Sequence, residues 1–224
     1  MTESARFRLP LSAFRFPPPA VRPWLWFAAV LSVVAALGAW FGGLRYCVVP
    51  KKFSAVVPGK IYRSGQISRW IVGDVLDRYD IGLIVDLNGK DPDDKDQVAE
   101  LQAAHDRGID VKRFHLGGAG TGDIRRYAGA LTEVHRARRA GRPVLIHCHA
   151  GANRTGAAVA FYRLLVERRD PDDVYREMQR FNPDLTPADV LVAYMNSHMR
   201  ELAELLVQSG VIPRVPQRFP QLCR

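Results

Sequence analysis

The apolar positions of this chain change rhythm several times, and each rhythm predicts an element. Residues 24–44 carry no charge, and as a helix they are long enough to cross about 30 Å of hydrocarbon, with Trp24, Trp26 and Trp40 toward the ends. Beyond them, short apolar runs alternate with helical spacings. Residues 61–64 read as a first short strand. Ile67, Ile71, Val75 and Tyr79 recur every fourth residue and predict a helix, and residues 81–87 form a second apolar strand. Val98, Leu101 and His105 mark the next helix, whose acidic start (Asp93, Asp94, Asp96) and end at Arg107 and Gly108 suit the helix dipole and a glycine stop. A strand over 111–116 and a flexible loop over 117–122 (GGAGTG) follow. Ile124, Tyr127, Leu131 and Val134 then form a helical stripe that ends with Arg136, Arg138 and Arg139 before Gly141.

Residues 143–146 are a compact apolar run of the kind found in a buried parallel strand, and 156–166 read as a helix that packs closely through small residues. Asp170-Pro171-Asp172 starts a short helix through Phe181. Thr186-Pro187 caps a final one with an inner stripe of Val190, Tyr194 and Leu205. The alternation predicts an α/β fold, a mainly parallel central sheet flanked by helices on both faces, preceded by one N-terminal transmembrane helix. No internal repeat is visible.

The domain boundaries follow the same shifts: a basic, proline-containing tail over 1–23, the membrane anchor over 24–44, a basic juxtamembrane linker over 45–52, a catalytic domain over 53–208 and a C-terminal tail over 209–224. A cleaved signal peptide is the rival to the anchor, with small residues around 36–39, but the length and late start of the run favour the anchor. Orientation is nearly tied. Arg6, Arg8, Arg15 and Arg22 precede the span, and Arg45, Lys51, Lys52, Lys60 and Arg63 follow it.

Charge sharpens this partition. The chain holds 32 basic and 23 acidic residues, net +9; seven basic and one acidic lie in residues 1–52, which leaves +3 for the rest. The basicity is juxtamembrane and favours anionic lipid headgroups; no aromatic-basic platform or recognition motif points to nucleic acid. Pro17-Pro18-Pro19 is a stiff spacer. Three cysteines make no disulfide framework, although Cys47 and Cys223 could pair.

The chemistry is concentrated in residues 144–155, VLIHCHAGANRT. Cys148 sits between a strand end and a helix start, where backbone N–H groups without intrahelical partners converge on one small volume that fits a phosphate. Those donors, the positive helix end and the Arg154 guanidinium all favour thiolate over thiol. Arg154 can hold two phosphate oxygens in its planar fork. Gly151 allows the positive φ that wraps the loop around an anion. The Thr155 hydroxyl can donate to the sulfur and stabilise it as a leaving group.

HCHAGANRT resembles the His-Cys-x5-Arg-Ser/Thr signature of the cysteine-dependent protein tyrosine and dual-specificity phosphatases. FSAVVPGKIYRSGQ, residues 53–66, is similar to the opening segment of the atypical dual-specificity type, and the resemblance runs from Phe53 to about Leu205. It implies a metal-free, cofactor-free two-step hydrolysis through a cysteinyl-phosphate. In it His149, Ala150, Gly151, Ala152, Asn153 and Arg154 bind phosphate, and His147 orients the loop and tunes the thiolate. Three other readings compete: a buried structural cysteine, a metal site using His147, Cys148 and His149, and a sulfurtransferase. The last has a loop one residue shorter, and no second Cys or His pair accompanies the metal reading.

The resemblance also implies a general acid on a loop before the helix that precedes the catalytic strand. Asp123 is the candidate there, and as a preferred N-cap of that helix it has a competing role. Asp91 or Asp93, or no acid at all for acidic leaving groups, are the alternatives. The loop has no lysine of the kind that relatives use for inositol polyphosphates, which favours a phosphoprotein substrate. A membrane phospholipid or phosphoinositide is the alternative, and a catalytically weak phosphate-binding adaptor is the reading from another class.

Overall fold

The computed structural model describes residues 23–223, in two bodies that meet in sequence between Leu44 and Arg45. The basic tail and the triple proline, read from sequence at 1–22, lie outside the described residues. In the first body, helix α1 (Pro23–Gly42) has 20 residues and no charged side chain. Trp24, Trp26, Phe27, Leu31 and Phe41 along it are exposed. Among the described residues no helix is long and apolar enough to cross a membrane.

The second body is built on a five-stranded sheet. Its strands are β1 (Ser54–Val57), β2 (Ile61–Ser64), β3 (Leu83–Asp86), β4 (Asp110–Arg113) and β5 (Val144–His147), in the spatial order β1-β2-β5-β3-β4. The last four in that order run parallel, while β1 is an antiparallel edge strand with an irregular register between Ala55 and Val57. That hairpin strand is absent from the periodicity, because four residues with one buried position leave little pattern. The mainly parallel sheet itself stands as expected.

Alternate residues of the central strands feed two cores. Ile61, Leu83, Val85, Val144 and Ile146 face one, together with α4 (Ile124–Arg139), α5 (Asn153–Phe161), α6 (Pro171–Phe181) and α7 (Val190–Gln208). Tyr62, Ile84 and Leu145 face the other, together with α2 (Val72–Arg78) and α3 (Lys95–Asp106). Burying both faces is what makes these strands continuously apolar.

Several boundaries differ from the sequence reading, each for a local reason. Ile67 and Ile71 precede α2, which starts at Val72, and Ile67 is buried as part of the incoming segment. β4 stops at Arg113, and Phe114 and Leu116 continue only as single bonds to Asp86 and Leu87. The carboxylate of Asp189, accepting from the Leu191 N–H, caps α7 in place of Thr186, so the buried stripe is Leu191, Met195, Met199, Leu202 and Leu206 and leaves Val190 outside. α5 passes into a π-helical turn at Tyr162–Val166.

Two segments read as peripheral pack onto the body. In the 209–224 segment Val211, Ile212 and Leu222 are buried, and Leu222 exchanges two hydrogen bonds with the Asn196 side chain at 2.9 and 3.0 Å. In the 45–52 segment the Lys51 carbonyl accepts from the Gly65 N–H at 2.7 Å, and Lys52 Nζ donates to the Phe181 carbonyl at 2.5 Å. Cys47 and Cys223 are both free thiols.

Candidate active site

The parallel strands end at a common level. Ser64, His147, Asp86 and Arg113 are register partners across β2, β5, β3 and β4, and the loops beyond them share one edge of the sheet. In open parallel sheets that carboxyl edge is where ligands bind. Cys148 follows His147 there, 1 % exposed, and its Sγ accepts the Gly151 N–H at 3.2 Å. Gly151 turns the chain with φ +68°. A Cβ at this position would stand 2.5 Å from the Gly65 nitrogen and 2.8 Å from the Ser64 carbonyl, so no other residue fits.

α5 begins without a side-chain cap. The N–H groups of Ala150, Ala152, Asn153 and Arg154 donate to no protein acceptor among the described residues. All four are among the residues that the family resemblance implies for phosphate. The His149 N–H is held by Asn88 Oδ1 at 2.7 Å, and the His149 carbonyl takes the Gln66 N–H at 3.1 Å, which turns this residue away from the cradle. Asn153 is steadied by Asn182 Nδ2 on its Oδ1 at 2.8 Å. The Arg154 guanidinium donates to the Leu87 carbonyl at 3.3 Å, a long bond that an anion in the loop can replace.

Burial pushes the Cys148 thiol up, but the Thr155 hydroxyl and N–H, the Arg154 charge and the Gly151 N–H outweigh it and bring it below the ordinary thiol value. The Thr155 hydroxyl also donates to the Ser64 carbonyl, a long bond at 3.5 Å. Asp123 caps α4, accepting from the Arg125 N–H at 3.0 Å, and is exposed. The loop before it reaches the site: a Cβ on Gly120 would stand 3.2 Å from the Asn153 carbonyl carbon and 3.4 Å from the Arg154 nitrogen. Tyr127 and Tyr194 brace this loop with hydrogen bonds to the Gly120 and Gly122 carbonyls at 2.6 and 2.8 Å. Asp91 and Asp93 lie in the exposed turn that leads to α3, where Asp91 Oδ1 accepts from the Asp93 N–H at 3.0 Å.

Residues the motif does not contain hold the loop from below. Arg63, 1 % exposed, donates to the Gly151 carbonyl at 2.8 Å and lies 3.6 Å over the Phe181 ring; burial lowers its guanidinium to about 10. Its signal in the sequence was a cation inside an apolar four-residue strand. Behind His147 lie Glu100 and Asp86, both fully buried, and the three offer ligand-type atoms within 4.8 Å of one another. Arg113, 2.7 Å from Asp86, makes this a balanced set of two carboxylates, an imidazole and a guanidinium. His147, Cys148 and His149 do not converge as a ligand set: His147 faces Glu100, and His149 is exposed.

Residues 42–199 match the sequence model of the tyrosine phosphatase family. No curated protein matches the chain. Among solved structures, it is similar to P. aeruginosa TpbA at 26 % identity and TM-score 0.53, covering 68 % of this chain and 87 % of that one. It also resembles the core catalytic domain of the PP-IP phosphatase SIW14 from S. cerevisiae, at 22 % identity and TM-score 0.58 over 75 % and 99 %. Tk-PTP in its active form matches at 18 % and 0.54 over 68 % and 96 %. The last two likenesses are likenesses of fold.

Proposed function

The chain belongs to the tyrosine phosphatase family, which makes it a phosphoric monoester hydrolase, and on that premise we propose that the loop from Cys148 to Arg154 carries the reaction on phosphoprotein substrates. The Cys148 thiolate attacks phosphorus, the bond to the leaving oxygen breaks, and Asp123 supplies that oxygen with a proton. Arg154 exchanges the Leu87 carbonyl for two phosphoryl oxygens, and the amides of Ala150, Gly151, Ala152 and Asn153 take the remaining charge. Water then attacks the cysteinyl-phosphate and gives its proton to Asp123. The P–S bond breaks as the Thr155 hydroxyl stabilises the departing sulfur. The scheme asks for no metal or cofactor.

One observation supports it above the rest: a buried sulfur accepts an N–H from within a loop that ends in an arginine and in which the amides of Ala150, Ala152, Asn153 and Arg154 have no protein acceptor among the described residues. Phosphate release from a generic aryl phosphate by the full chain, with chelator present, tests it. Turnover should survive the chelator and fall by about a thousandfold or more in Cys148→Ser. Loss of turnover with the chelator contradicts the scheme, and tight phosphopeptide binding without turnover indicates an adaptor. The proposal also seats the uncharged run of residues 24–44 in a membrane, because a run of that length as a helix spans about 30 Å of hydrocarbon. That anchor favours a phospholipid as the second substrate reading, and a side-by-side panel of phosphotyrosyl, phosphoseryl and lipid substrates separates the two.

A further inference from the structure

Under the cysteine loop, on the α3 side of the sheet, lies a buried charge cluster with no part of its own in phosphoryl transfer. His147, Asp86 and Glu100 are all at 0 % exposure. His147 Nε2 stands 3.1 Å from Glu100 Oε1 and 3.9 Å from Asp86 Oδ1. Neither ring nitrogen has an aligned hydrogen-bond acceptor among the described residues, so charge rather than a directed bond joins the ring to Glu100. The charged groups that face the ring are Glu100 from α3, Asp86 from β3, Arg113 from β4 across Asp86, and the Cys148 sulfur at the end of its own strand.

Arg113, at 2.7 Å, already neutralises Asp86, which leaves Glu100 as the carboxylate without a cation. A lone buried carboxylate and a lone buried imidazolium are each costly, and together they offset one another. Burial alone would strip the proton from His147, but Glu100 first, then Asp86 and the sulfur, lift it to about 9. The second oxygen of Glu100 accepts from Gln66 Nε2 at 3.2 Å, Gln66 Oε1 accepts from Asn88 Nδ2 at 3.3 Å, and Asn88 Oδ1 holds the His149 N–H at 2.7 Å. One carboxylate thus stands behind both neighbours of the cysteine.

We propose that Glu100 is a positioning residue of the cysteine site: it keeps His147 as an imidazolium behind Cys148 and so lowers the pH at which the sulfur becomes a nucleophile. The inference rests on Cys148 being the nucleophile. In Glu100→Gln the imidazolium is lost together with the carboxylate; the ring belongs to the residue next to Cys148 and its charge couples to the sulfur, so a positive field at the sulfur disappears. The midpoint of Cys148 ionisation then rises by about half a pH unit, roughly threefold less thiolate below the midpoint.

The test follows carboxamidomethylation of the Cys148 peptide by mass spectrometry across pH in the full chain, alongside the acid limb of kcat/KM and the imidazole 15N shifts of His147. The expected results are a raised midpoint, a limb moved the same way, and loss of the doubly protonated 15N signature at pH 7.5 in Glu100→Gln, with Glu100→Asp retaining it. The double variant Glu100→Gln with His147→Asn, which leaves no lone charge buried, should match the single variant and also serves where the latter fails to fold. An unmoved or lowered midpoint in either variant, or a His147 that stays protonated without Glu100, overturns the proposal while leaving the cysteine mechanism standing. A wild-type Cys148 that neither ionises early nor is needed for turnover removes both.

Discussion

At Gly151 the distance between a working loop and a broken one is a single Cβ, since any side chain there would meet the Ser64 and Gly65 backbone. Gly151→Ala should therefore cost about 2 kcal/mol or more in thermal or denaturant unfolding, with phosphatase activity lost before the fold. Equal stability and activity would contradict the packing described. Asp123→Asn should depress turnover of an alkyl phosphate far more than that of an aryl phosphate with a good leaving group, because only the former needs a proton delivered; equal losses would reduce Asp123 to the helix cap it also forms. His147 adds a pH dependence of stability. Its folded-state value, about 9, lies above the ordinary 6.5, so its contribution is fully present below pH 6.5 and is lost as pH rises through 9. The depressed Cys148 acts in the opposite sense, since a thiol that ionises more readily when folded adds stability as pH rises. Melting in a Cys148→Ser background should accordingly fall between pH 6.5 and 9, and adding Glu100→Gln and His147→Asn should flatten the profile. The motif from Cys148 to Thr155 was legible because its chemistry is contiguous in the chain. Glu100 and Asn88 were not, and of Arg63 and Gln66 only the segment was legible and not the contact, because all four converge on the loop from separate segments that only the fold brings together.

Elements were legible where burial wrote a period into the sequence. β5 and β3, apolar on both faces, stand out as continuous runs, and α4 shows its stripe from Ile124 through Val134. α7 was found but turned by one residue: two nearby cap signals compete, and the one at Asp189 sets the phase, which places Leu191 rather than Val190 inside. The 209–224 segment carries no period at all, since it is held by isolated anchors. Leu222 is the clearest of them, at 0 % exposure and with its backbone bonded to Asn196 on α7. Leu222→Ala should destabilise the protein by about 2–4 kcal/mol, read as a lowered Tm, and a change near zero would mean that this segment is not part of the core.

On the scale of the whole chain, an uncharged helix precedes a catalytic body, and the net charge of +9 is gathered mostly ahead of residue 53. The membrane anchor proposed for residues 24–44 predicts that Val33→Lys combined with Val34→Lys moves the protein from the membrane pellet to the soluble fraction while aryl phosphatase activity persists. Retention in the pellet would contradict it. The account as a whole depends on the sulfur of Cys148 receiving the phosphoryl group. Rapid acid quench of a turnover reaction, followed by mass spectrometry of the peptides, tests this most directly. Phosphate should be found on the Cys148 peptide and be missing in Cys148→Ser; a phosphoryl group on another side chain, or turnover with no phosphoenzyme and no need for Cys148, would contradict it.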